Sequence, residues 1–370
     1  MTALREDWEV LRELFPVDWE QLGRRSGAVR RLRGFASIEN LLRTLLLHVG
    51  CGWSLRETAV QAKLADLAAV SDVTLLNRLR QSEDWLRQLC QALWKENGVD
   101  LQPALLGHAV RVVDATTVKE PGRTGGQWRI HYSLRLPTLE CDHFELTAVQ
   151  GTHSGERLGR FSYRPGELVL GDAGYSHPPG VAAVRQQQAH VCVRLNPYAM
   201  PLFDRGGHPL GLLQKLSDEM PRAGQVGEWP AWIEVYGQRL AGRVCALRKS
   251  AAAIERAQRQ LREKRPQASP ATQQYACYVL VFTTLPHAEA SAQQILECYR
   301  LRWQIELTFK RLKSIVQLGH VPKQDDQSSR AWLYGKLLVA LLSQKLMHVG
   351  KTISPWGYYL PKETHTQPLA

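Results

Sequence analysis

Paired cysteines and zinc-binding motifs are both missing from this chain of 370 residues. Its seven cysteines are an odd number, they lie far apart, and no two of them form a Cys-x-x-Cys motif. This spacing argues against a disulfide-stabilised secreted scaffold and against a structural zinc site. It is typical of a protein that folds in a reducing cytosol.

Long apolar runs are missing as well. The first residues, Met1 to Trp8, lack the apolar core of a signal peptide. The longest apolar stretch, from Trp332 to Val349, is interrupted by Lys336, Gln344 and Lys345, and it predicts an amphipathic core helix and not a membrane span. We therefore expect a cytoplasmic protein without a membrane partner.

Acidic residues are in short supply. The chain has 35 Asp and Glu against 47 Lys and Arg, which gives a formal net charge of +12. This excess favours a polyanionic partner, with nucleic acid ahead of a membrane surface, although a merely basic protein is the alternative. The hydrophobic share of 44% and the length are enough for two or three domains with sizeable cores.

The spacing of apolar residues divides the chain into helical and strand-rich regions. Residues 1–107 predict an all-helical N-terminal domain, and residues 108–196 predict the first part of a mixed sheet flanked by helices, which is an α/β fold. Residues 197–285 predict a β-rich insertion with one charged helix. Helices return at residues 286–350, and residues 351–370 form a tail.

Individual elements follow from the same periodicities. Helices are predicted at residues 7–15, 37–49, 55–69, 74–80, 84–96, 251–265, 287–318 and 328–349, and Ser37, Ser54 and Ser71 are expected N-caps. Strands are predicted at residues 108–114, 128–136, 144–148, 168–172, 191–195, 228–236, 241–248 and 275–283.

A cationic segment lies between the first two predicted helices. It contains two glycines and five arginines, namely Arg24, Arg25, Arg30, Arg31 and Arg33. We expect a flexible arm suited to a DNA backbone or minor groove, with a solvated basic loop as the alternative. Residues 55–81 also have a weak helix-turn-helix pattern, which many helical bundles share.

Two acidic residues stand where predicted strands end. Asp114 follows the apolar run from His108, and Asp172 follows the run from Leu168. A carboxylate at such a position is hard to explain as core, because an unpaired buried charge is costly. An aspartate that caps the next turn is the alternative for either residue alone.

A third acid lies on a predicted amphipathic helix between residues 299 and 313. At 3.6 residues per turn its polar residues form one stripe, and a separate apolar stripe faces a core. The polar stripe consists of Tyr299, Arg302, Glu306, Lys310 and Lys313, and the apolar one of Ile305, Phe309, Leu312 and Val316. A solvated face with an i,i+4 pair of Glu306 and Lys310 is the alternative.

Together the three acids predict a metal site. Asp114, Asp172 and Glu306, with water and substrate oxygens, can hold two Mg²⁺ ions about 4 Å apart, and Mn²⁺ can substitute. The cations of the stripe can hold phosphate oxygens. This chemistry is that of an enzyme that acts on phosphodiesters.

These residues resemble the DDE triad of the RNase H-like transposases. The stripe is similar to the Tyr-Arg-Glu-Lys signature of the insertion-sequence-4 family of bacterial cut-and-paste transposases, whose four positions are matched by Tyr299, Arg302, Glu306 and Lys313. The long segment between Asp172 and Glu306 matches the β-rich insertion of that family. The likeness covers roughly residues 35–350 and includes the Leu-Asn-Arg-Leu-Arg-Gln-Ser stretch ending at Ser82.

The resemblance implies an RNase H-like catalytic domain and a role for each residue. Asp114, Asp172 and Glu306 are implied to bind Mg²⁺, and Tyr299, Arg302 and Lys313 to grip phosphates near an element end, where the family forms a DNA hairpin. The implied partners are double-stranded terminal repeats, target DNA and a second subunit, near the bacterial nucleoid. One departure is Ala173, since family members often have Asp-Arg-Gly-Tyr where this chain has Asp172-Ala-Gly-Tyr.

The family also extrudes a base, on which an aromatic side chain stacks. Trp229 and Trp232 of the insertion are candidates, but a core role is expected for each. Trp303 lies between the two stripes and fits either role. His131 is a candidate for contact with DNA or metal, although we favour a structural histidine.

Three other functions fit parts of the pattern. A resolvase or another RNase H-like nuclease leaves the insertion and the full signature unexplained. A transposase-derived DNA-binding protein without catalysis does not explain the retained acids. A helix-turn-helix regulator gives the three acids no role at all.

Overall fold

A computed structural model describes residues 3–97, 105–120, 127–151, 154–319, 321–322 and 325–353. The chain forms two compact units. The first contains Met1–Glu96, Lys119–Thr124 and Leu312–Ala370, and the second contains Asn97–Val118 and Gly125–Arg311. Most of the predicted tail, from residue 354 onward, lies outside the described residues.

The first unit is helical, as predicted for the N-terminal region. Its helices are α1 (Ala3–Arg12), α2 (Trp19–Arg25), α3 (Ile38–Cys51), α4 (Leu55–Leu64), α5 (Asp72–Gln81), α6 (Glu83–Asn97) and the long α13 (Asp326–Ile353). The expected N-caps are confirmed, since Ser37, Ser54 and Ser71 each accept a backbone N–H three residues on. Helix α13 packs against α3 and α5.

The cationic segment is not the flexible arm that we predicted. Arg24 and Arg25 lie in the last turn of α2, a helix that the sequence reading missed. Ala28 and Val29 are buried, the Val29 amide donates to the Gly23 carbonyl at 3.1 Å, and Arg78 donates to the Arg31 carbonyl. Two small apolar side chains thus anchor the segment, and all five arginine side chains remain exposed.

The second unit is built on one eight-stranded mixed sheet, so the predicted fold class is confirmed. Its strands are β1 (Val110–Val118), β2 (Trp128–Leu136), β3 (Cys141–Ala148), β4 (Leu168–Gly171), β5 (His190–Arg194), β6 (Val226–Val235), β7 (Gln238–Arg248) and β8 (Tyr278–Thr283). Their order across the sheet is β3-β2-β1-β4-β5-β8-β7-β6. Strands β1, β4 and β5 are parallel neighbours, and all other pairs are antiparallel.

The strands predicted for the insertion continue this sheet. Strand β8 pairs with β5, and β7 and β6 follow it to the edge. Helices of this unit are α7 (Pro178–Gln186), α8 (Leu212–Glu219), α9 (Ala251–Lys264), α10 (Pro270–Tyr275), α11 (Ala292–Arg300) and α12 (Trp303–Ser314), which runs past the unit boundary after Arg311. Helices α7, α8 and α10 were not predicted.

Both faces of β2 are buried, although its sequence alternates as a one-sided strand does. The apolar residues Ile130, Tyr132 and Leu134 are buried on one face. On the other face His131 and Ser133 are buried too. The alternation therefore predicted correctly which residues share a face of β2, but it did not predict that both faces are buried.

The single helix predicted over residues 287–318 is wrong. It is divided into α11 and α12, because the Leu301 and Arg302 amides bond to the carbonyls three residues back, at 3.0 Å each, and tighten the chain into a turn. Ser291 caps the start of α11 through a capping box. The residues of the polar stripe thus lie on two helices and the turn between them.

No helix in the described part of the chain combines the length and the apolar character that a membrane crossing requires.

Candidate active site

The register of two parallel strands places Asp114 and Asp172 side by side. Val110 pairs with Leu168 and Val112 with Leu170, so the next positions on the same face are Asp114 and Asp172. Asp172 follows the end of β4, as predicted. Asp114 does not end its strand, because β1 continues to Val118 along β2. What ends beside Asp114 is its neighbour β4, and this leaves the carboxyl at an opening in the sheet.

The carboxyl groups of Asp114 and Asp172 are partly shielded from water and repel one another. The side chain of Asp114 is 14% exposed, and it accepts a hydrogen bond from the Ala115 amide at 2.8 Å. Burial, followed by the charge of Asp172, raises the pKa of Asp114 to about 7. Asp172 accepts from the Gly174 amide at 2.8 Å and so caps the turn that follows β4.

Glu306 reaches this site through Arg302. The guanidinium of Arg302 lies 3.7 Å from an oxygen of Asp114 and donates a hydrogen bond to Glu306. Glu306 lies in the first turn of α12 and its side chain is 56% exposed. Phe309 of the same helix packs edge-on against Tyr132, which is the β2 partner of Asp114. The predicted apolar stripe of α12 thus packs the helix against β2, at the position where β2 pairs with Asp114 of β1.

Tyr299, the first residue of the predicted signature, is buried at the end of α11. Burial raises its pKa above the ordinary range, and Arg302 partly offsets this effect. Its hydroxyl has no hydrogen-bond partner within the described residues. A buried hydroxyl without a partner is costly, and such a group is chemically able to donate a hydrogen bond to a ligand oxygen.

A cationic cleft of about 600 Å³ opens beside Tyr299. Its lining, as far as the described residues show it, includes Trp303, which is 51% exposed, and no acidic residue. The cations that line it are Arg194, Lys249, Lys264, Arg265, Arg300 and Arg302. Lys310 and Lys313 are exposed further along α12. Such a surface suits a phosphate backbone.

The structure shows the environment of each remaining aromatic and histidine candidate. Trp229 belongs to the hydrophobic core, where its indole N–H donates to Glu219 at 2.8 Å, and Trp232 is half-buried. His131 is buried and bonds to the Thr147 hydroxyl at 3.0 Å, and burial lowers its pKa to about 3. It is therefore the neutral structural histidine that the sequence favoured.

A family profile described as "Transposase DDE domain" matches residues 106–342, which is more than half of the chain. This chain belongs to the DDE transposase family. It is a transposase of the kind that insertion-sequence elements encode, and transposases act on DNA. The resemblance to the insertion-sequence-4 family is thereby confirmed.

Relatives match along nearly the whole chain. The transposase for insertion sequence element IS421 of Escherichia coli is 32% identical over 355 residues, which is 92% of this chain and 93% of the relative. The InsL protein of element IS186A from Escherichia coli (strain K12) has the same identity and coverage. A cryo-EM structure of the piggyBac transposase synaptic complex with hairpin DNA covers 97% of this chain and 84% of its own, at 9% identity and a TM-score of 0.42.

In this transposase the donor set suits a divalent metal, which DDE domains generally use. Carboxylate oxygens are the ligands of Mg²⁺, and the guanidinium of Arg302 shows that a cation fits between Asp114 and Glu306. Within the described residues, no three His, Cys, Asp or Glu side chains already stand as a metal-binding group. Glu306 is paired with Arg302 instead.

Sequence reasoning missed two residues beside the aspartates. Glu156 lies in a loop before β4, and burial, followed by the charge of Asp172, raises its pKa. Tyr175 is fully buried, and burial with the charges of Asp114, Glu156 and Asp172 raises its pKa. Neither residue ends a strand or falls on a helical stripe, so no periodic signal marked them.

Proposed function

We propose that this chain is a cut-and-paste transposase. It cleaves the ends of an insertion element and joins the 3′-hydroxyls to target DNA by two-metal phosphoryl transfer, through a hairpin intermediate. The observation that carries this proposal is the register of β1 and β4, which brings Asp114 and Asp172 to neighbouring positions beyond the last pair, with Arg302 bridging Asp114 and Glu306.

The three acids would hold the metal. Asp114, Asp172 and Glu306 supply the oxygen ligands for Mg²⁺, and Mn²⁺ can replace it. When bound, the ions activate the attacking hydroxyl and stabilise the leaving oxygen. The backbone hydrogen bonds of the two aspartates, from Ala115 and Gly174, hold both carboxylates in place before substrate arrives.

Cations around the acids would hold the DNA. Arg302 and Tyr299 line the cleft next to the acids, and they are suited to phosphate oxygens beside the scissile bond. Lys310 and Lys313 extend this surface along α12. In the helical unit, the exposed side chains of Arg24, Arg25, Arg30, Arg31 and Arg33 supply further contacts with the backbone of the element end.

The working form would be a homodimer that bridges two element ends, in the bacterial cytoplasm at the nucleoid. This part of the proposal rests on the family, in which each end is often cut by the subunit bound to the other.

The decisive experiment compares the wild type with Glu306→Gln on a labelled duplex that carries the DNA flanking the gene. We expect Mg²⁺-dependent cleavage at a discrete end by the wild type, none in EDTA and none by Glu306→Gln, which should still bind the end. Glu297→Gln removes an exposed carboxylate from α11 and serves as the control that should cleave normally.

Two results would change the assignment. Normal cleavage by Glu306→Gln would remove this residue from the catalytic set. Specific binding without cleavage by the wild type in Mg²⁺ and in Mn²⁺ would favour a DNA-binding protein derived from a transposase.

A further inference from the structure

The loop that carries Glu156 is fixed at three successive carbonyl groups. Arg129 donates to the Ser154 carbonyl at 2.8 Å and Arg160 to the Gly155 carbonyl at 3.1 Å. His177 Nε2 bonds to the Glu156 carbonyl at 3.1 Å, and its Nδ1 accepts from the Gly180 amide, so Nε2 carries the proton. These bonds hold the backbone of Glu156 in one place without using its carboxylate.

The carboxylate of Glu156 lies over the turn that follows Asp172. A Cβ atom built on Gly174 would lie 1.9 Å from Glu156 Oε2 and 3.1 Å from Asp172 Oδ1. Glycine at position 174 therefore leaves the space that the Glu156 carboxylate occupies. Within the described residues, this carboxylate has no hydrogen bond or ion pair of its own.

A buried hydroxyl group lies within the electrostatic influence of three carboxylates. Tyr175 is 0% exposed, and its hydroxyl has no hydrogen-bond partner within the described residues. The charges that act on it most strongly are those of Asp114, Glu156 and Asp172. Because a buried hydroxyl without a partner is costly, its position among acids indicates that a bound ion and its water ligands complete the site.

The charges around these acids do not balance. Arg302 is the cation that contacts Asp114, and Arg129 is the cation whose charge acts on Glu156. Arg129 is engaged with the Ser154 carbonyl, and Arg302 is shared with Glu306. Among the described residues, the carboxylates of Asp114, Asp172 and Glu156 thus share two nearby cations that are also engaged elsewhere.

We propose that Glu156 is a fourth acidic residue of the metal site, where it binds a divalent cation together with Asp172, and that the Tyr175 hydroxyl hydrogen-bonds to a ligand oxygen of that ion. This inference rests on the proposed function, because it assigns a further residue to the same site. Glu156 thus acts by positioning the ion, through its own carboxylate or through a water that the ion holds.

Two substitutions test the assignment in different ways. Glu156→Gln removes the charge and keeps the shape. Gly174→Ala keeps all four acids, but its methyl group displaces the Glu156 carboxylate and also approaches Asp172 Oδ1 to 3.1 Å, while the backbone at Gly174 is not left-handed and so accepts a Cβ. Glu234→Gln is the matched control, since Glu234 is an exposed acid of β6 that pairs with Arg239.

The first readout is Mn²⁺ binding, followed by the loss of the free-ion EPR signal in full-length protein without DNA. We expect Glu156→Gln and Gly174→Ala each to weaken Mn²⁺ binding by about 10- to 100-fold, as loss of groups around a metal typically does. Glu234→Gln should bind Mn²⁺ as the wild type does.

The second readout is thermal unfolding with and without Mn²⁺. A ligand that binds the folded state raises the melting temperature. Glu156→Gln should raise the melting temperature in EDTA, because one repulsive charge is gone, and should shrink the increase that Mn²⁺ causes. A merely structural Glu156 would give the opposite pattern, with a lower melting temperature in EDTA and an unchanged Mn²⁺ effect.

Wild-type Mn²⁺ affinity in both variants would overturn the inference. Its failure is distinguishable from that of the proposed function: a wild type that binds Mn²⁺ but cuts no element end contradicts the function, whereas a cleaving wild type with unaltered variants contradicts only the role of Glu156.

Discussion

Strand β1 carries two charged residues three positions apart, Arg111 and Asp114, whose surroundings differ. The charge of Arg111 is balanced by its neighbours, and that of Asp114 is not. At Arg111 two guanidinium groups meet two carboxylates. Arg111 lies 3.1 Å from both Asp142 and Glu167, and Arg135 lies 2.8 Å from Asp142 and 3.2 Å from Glu167. Every cation touches both anions, and all four side chains are at most 10% exposed.

At Asp114 the balance is absent. The negative charges of Asp172 and, more weakly, Glu156 act on Asp114, and its contact with Arg302 is longer, at 3.7 Å. Burial is the main cause of the raised pKa of Asp114, and the charge of Asp172 raises it further. The two groups share strand β1, but Asp172 and Glu156 are half-buried whereas the side chains around Arg111 are nearly fully buried, so the groups differ in exposure as well as in partners. The charges around Arg111 are paired with one another, as is typical of a structural ion-pair network. The incompletely balanced charges around Asp114 are typical of a ligand-binding site.

The largest effect is expected from removing the central charge of the unbalanced group. Asp114→Asn should lower end cleavage in Mg²⁺ by at least about ten-thousandfold, which corresponds to more than 5 kcal/mol of transition-state stabilisation. The measurement is single-turnover cleavage of the labelled end, with end binding as the control for folding. Cleavage within tenfold of the wild type would contradict the assignment.

The balanced group should instead matter for stability. Arg111→Met leaves two buried carboxylates with a single guanidinium, and we expect a loss of about 3–5 kcal/mol in the free energy of unfolding. Denaturant titration measures this loss. Arg239→Met breaks an exposed pair with Glu234 and should cost less than about 1 kcal/mol. Equal losses in both variants would show that the buried group stabilises the fold no more than an exposed ion pair does.

The pH dependence of stability sharpens the contrast. The folded-state pKa of Asp114, about 7, lies above its ordinary value of 3.8, so the folded protein holds this proton more tightly than the unfolded chain does. Its contribution is fully present at low pH and is lost as pH rises from about 4 to about 7. In EDTA, the stability advantage of Asp114→Asn over the wild type should therefore grow by on the order of 2–3 kcal/mol between pH 5 and pH 8. An advantage that is constant with pH would show that Asp114 titrates normally.

The smallest effect is expected at the cation that both acids share. Arg302→Ala should slow hairpin formation about tenfold more than the initial nick, because the guanidinium lines the cleft beside the acids. Time courses on a nicked and an intact end separate the two steps. Arg311→Ala removes the same charge from an exposed position on α12 and serves as the control. Equal loss at both steps would indicate a general DNA contact.

Much of the fold followed from local patterns. Continuous apolar runs and apolar alternation located the strands of the sheet, and the serine N-caps marked the starts of α3, α4 and α5. The pattern failed where tertiary contacts override it. It missed α2, whose end is followed by the buried Ala28 and Val29, and it ran α11 and α12 together across the turn at Leu301 and Arg302.

Local sequence patterns predicted only part of the candidate site. Asp114, Asp172 and Glu306 carry the right chemistry in recognisable contexts, and a family signature surrounds Glu306. Glu156 had no such context, because it lies in a loop whose position depends on bonds from Arg129, Arg160 and His177. Those donors come from β2, from the turn before β4 and from the cap of α7.

The sequence by itself determined the α/β class, the helical N-terminal region, the acids at Asp114 and Asp172 and the amphipathic face of α12, because each depends on residue type and on spacing over a few residues. The tertiary structure alone decided that β4 ends beside Asp114, that Arg302 bridges Asp114 and Glu306, and that Glu156 joins Asp172. Strand register and the meeting of distant loops depend on contacts between remote residues, which no local periodicity encodes.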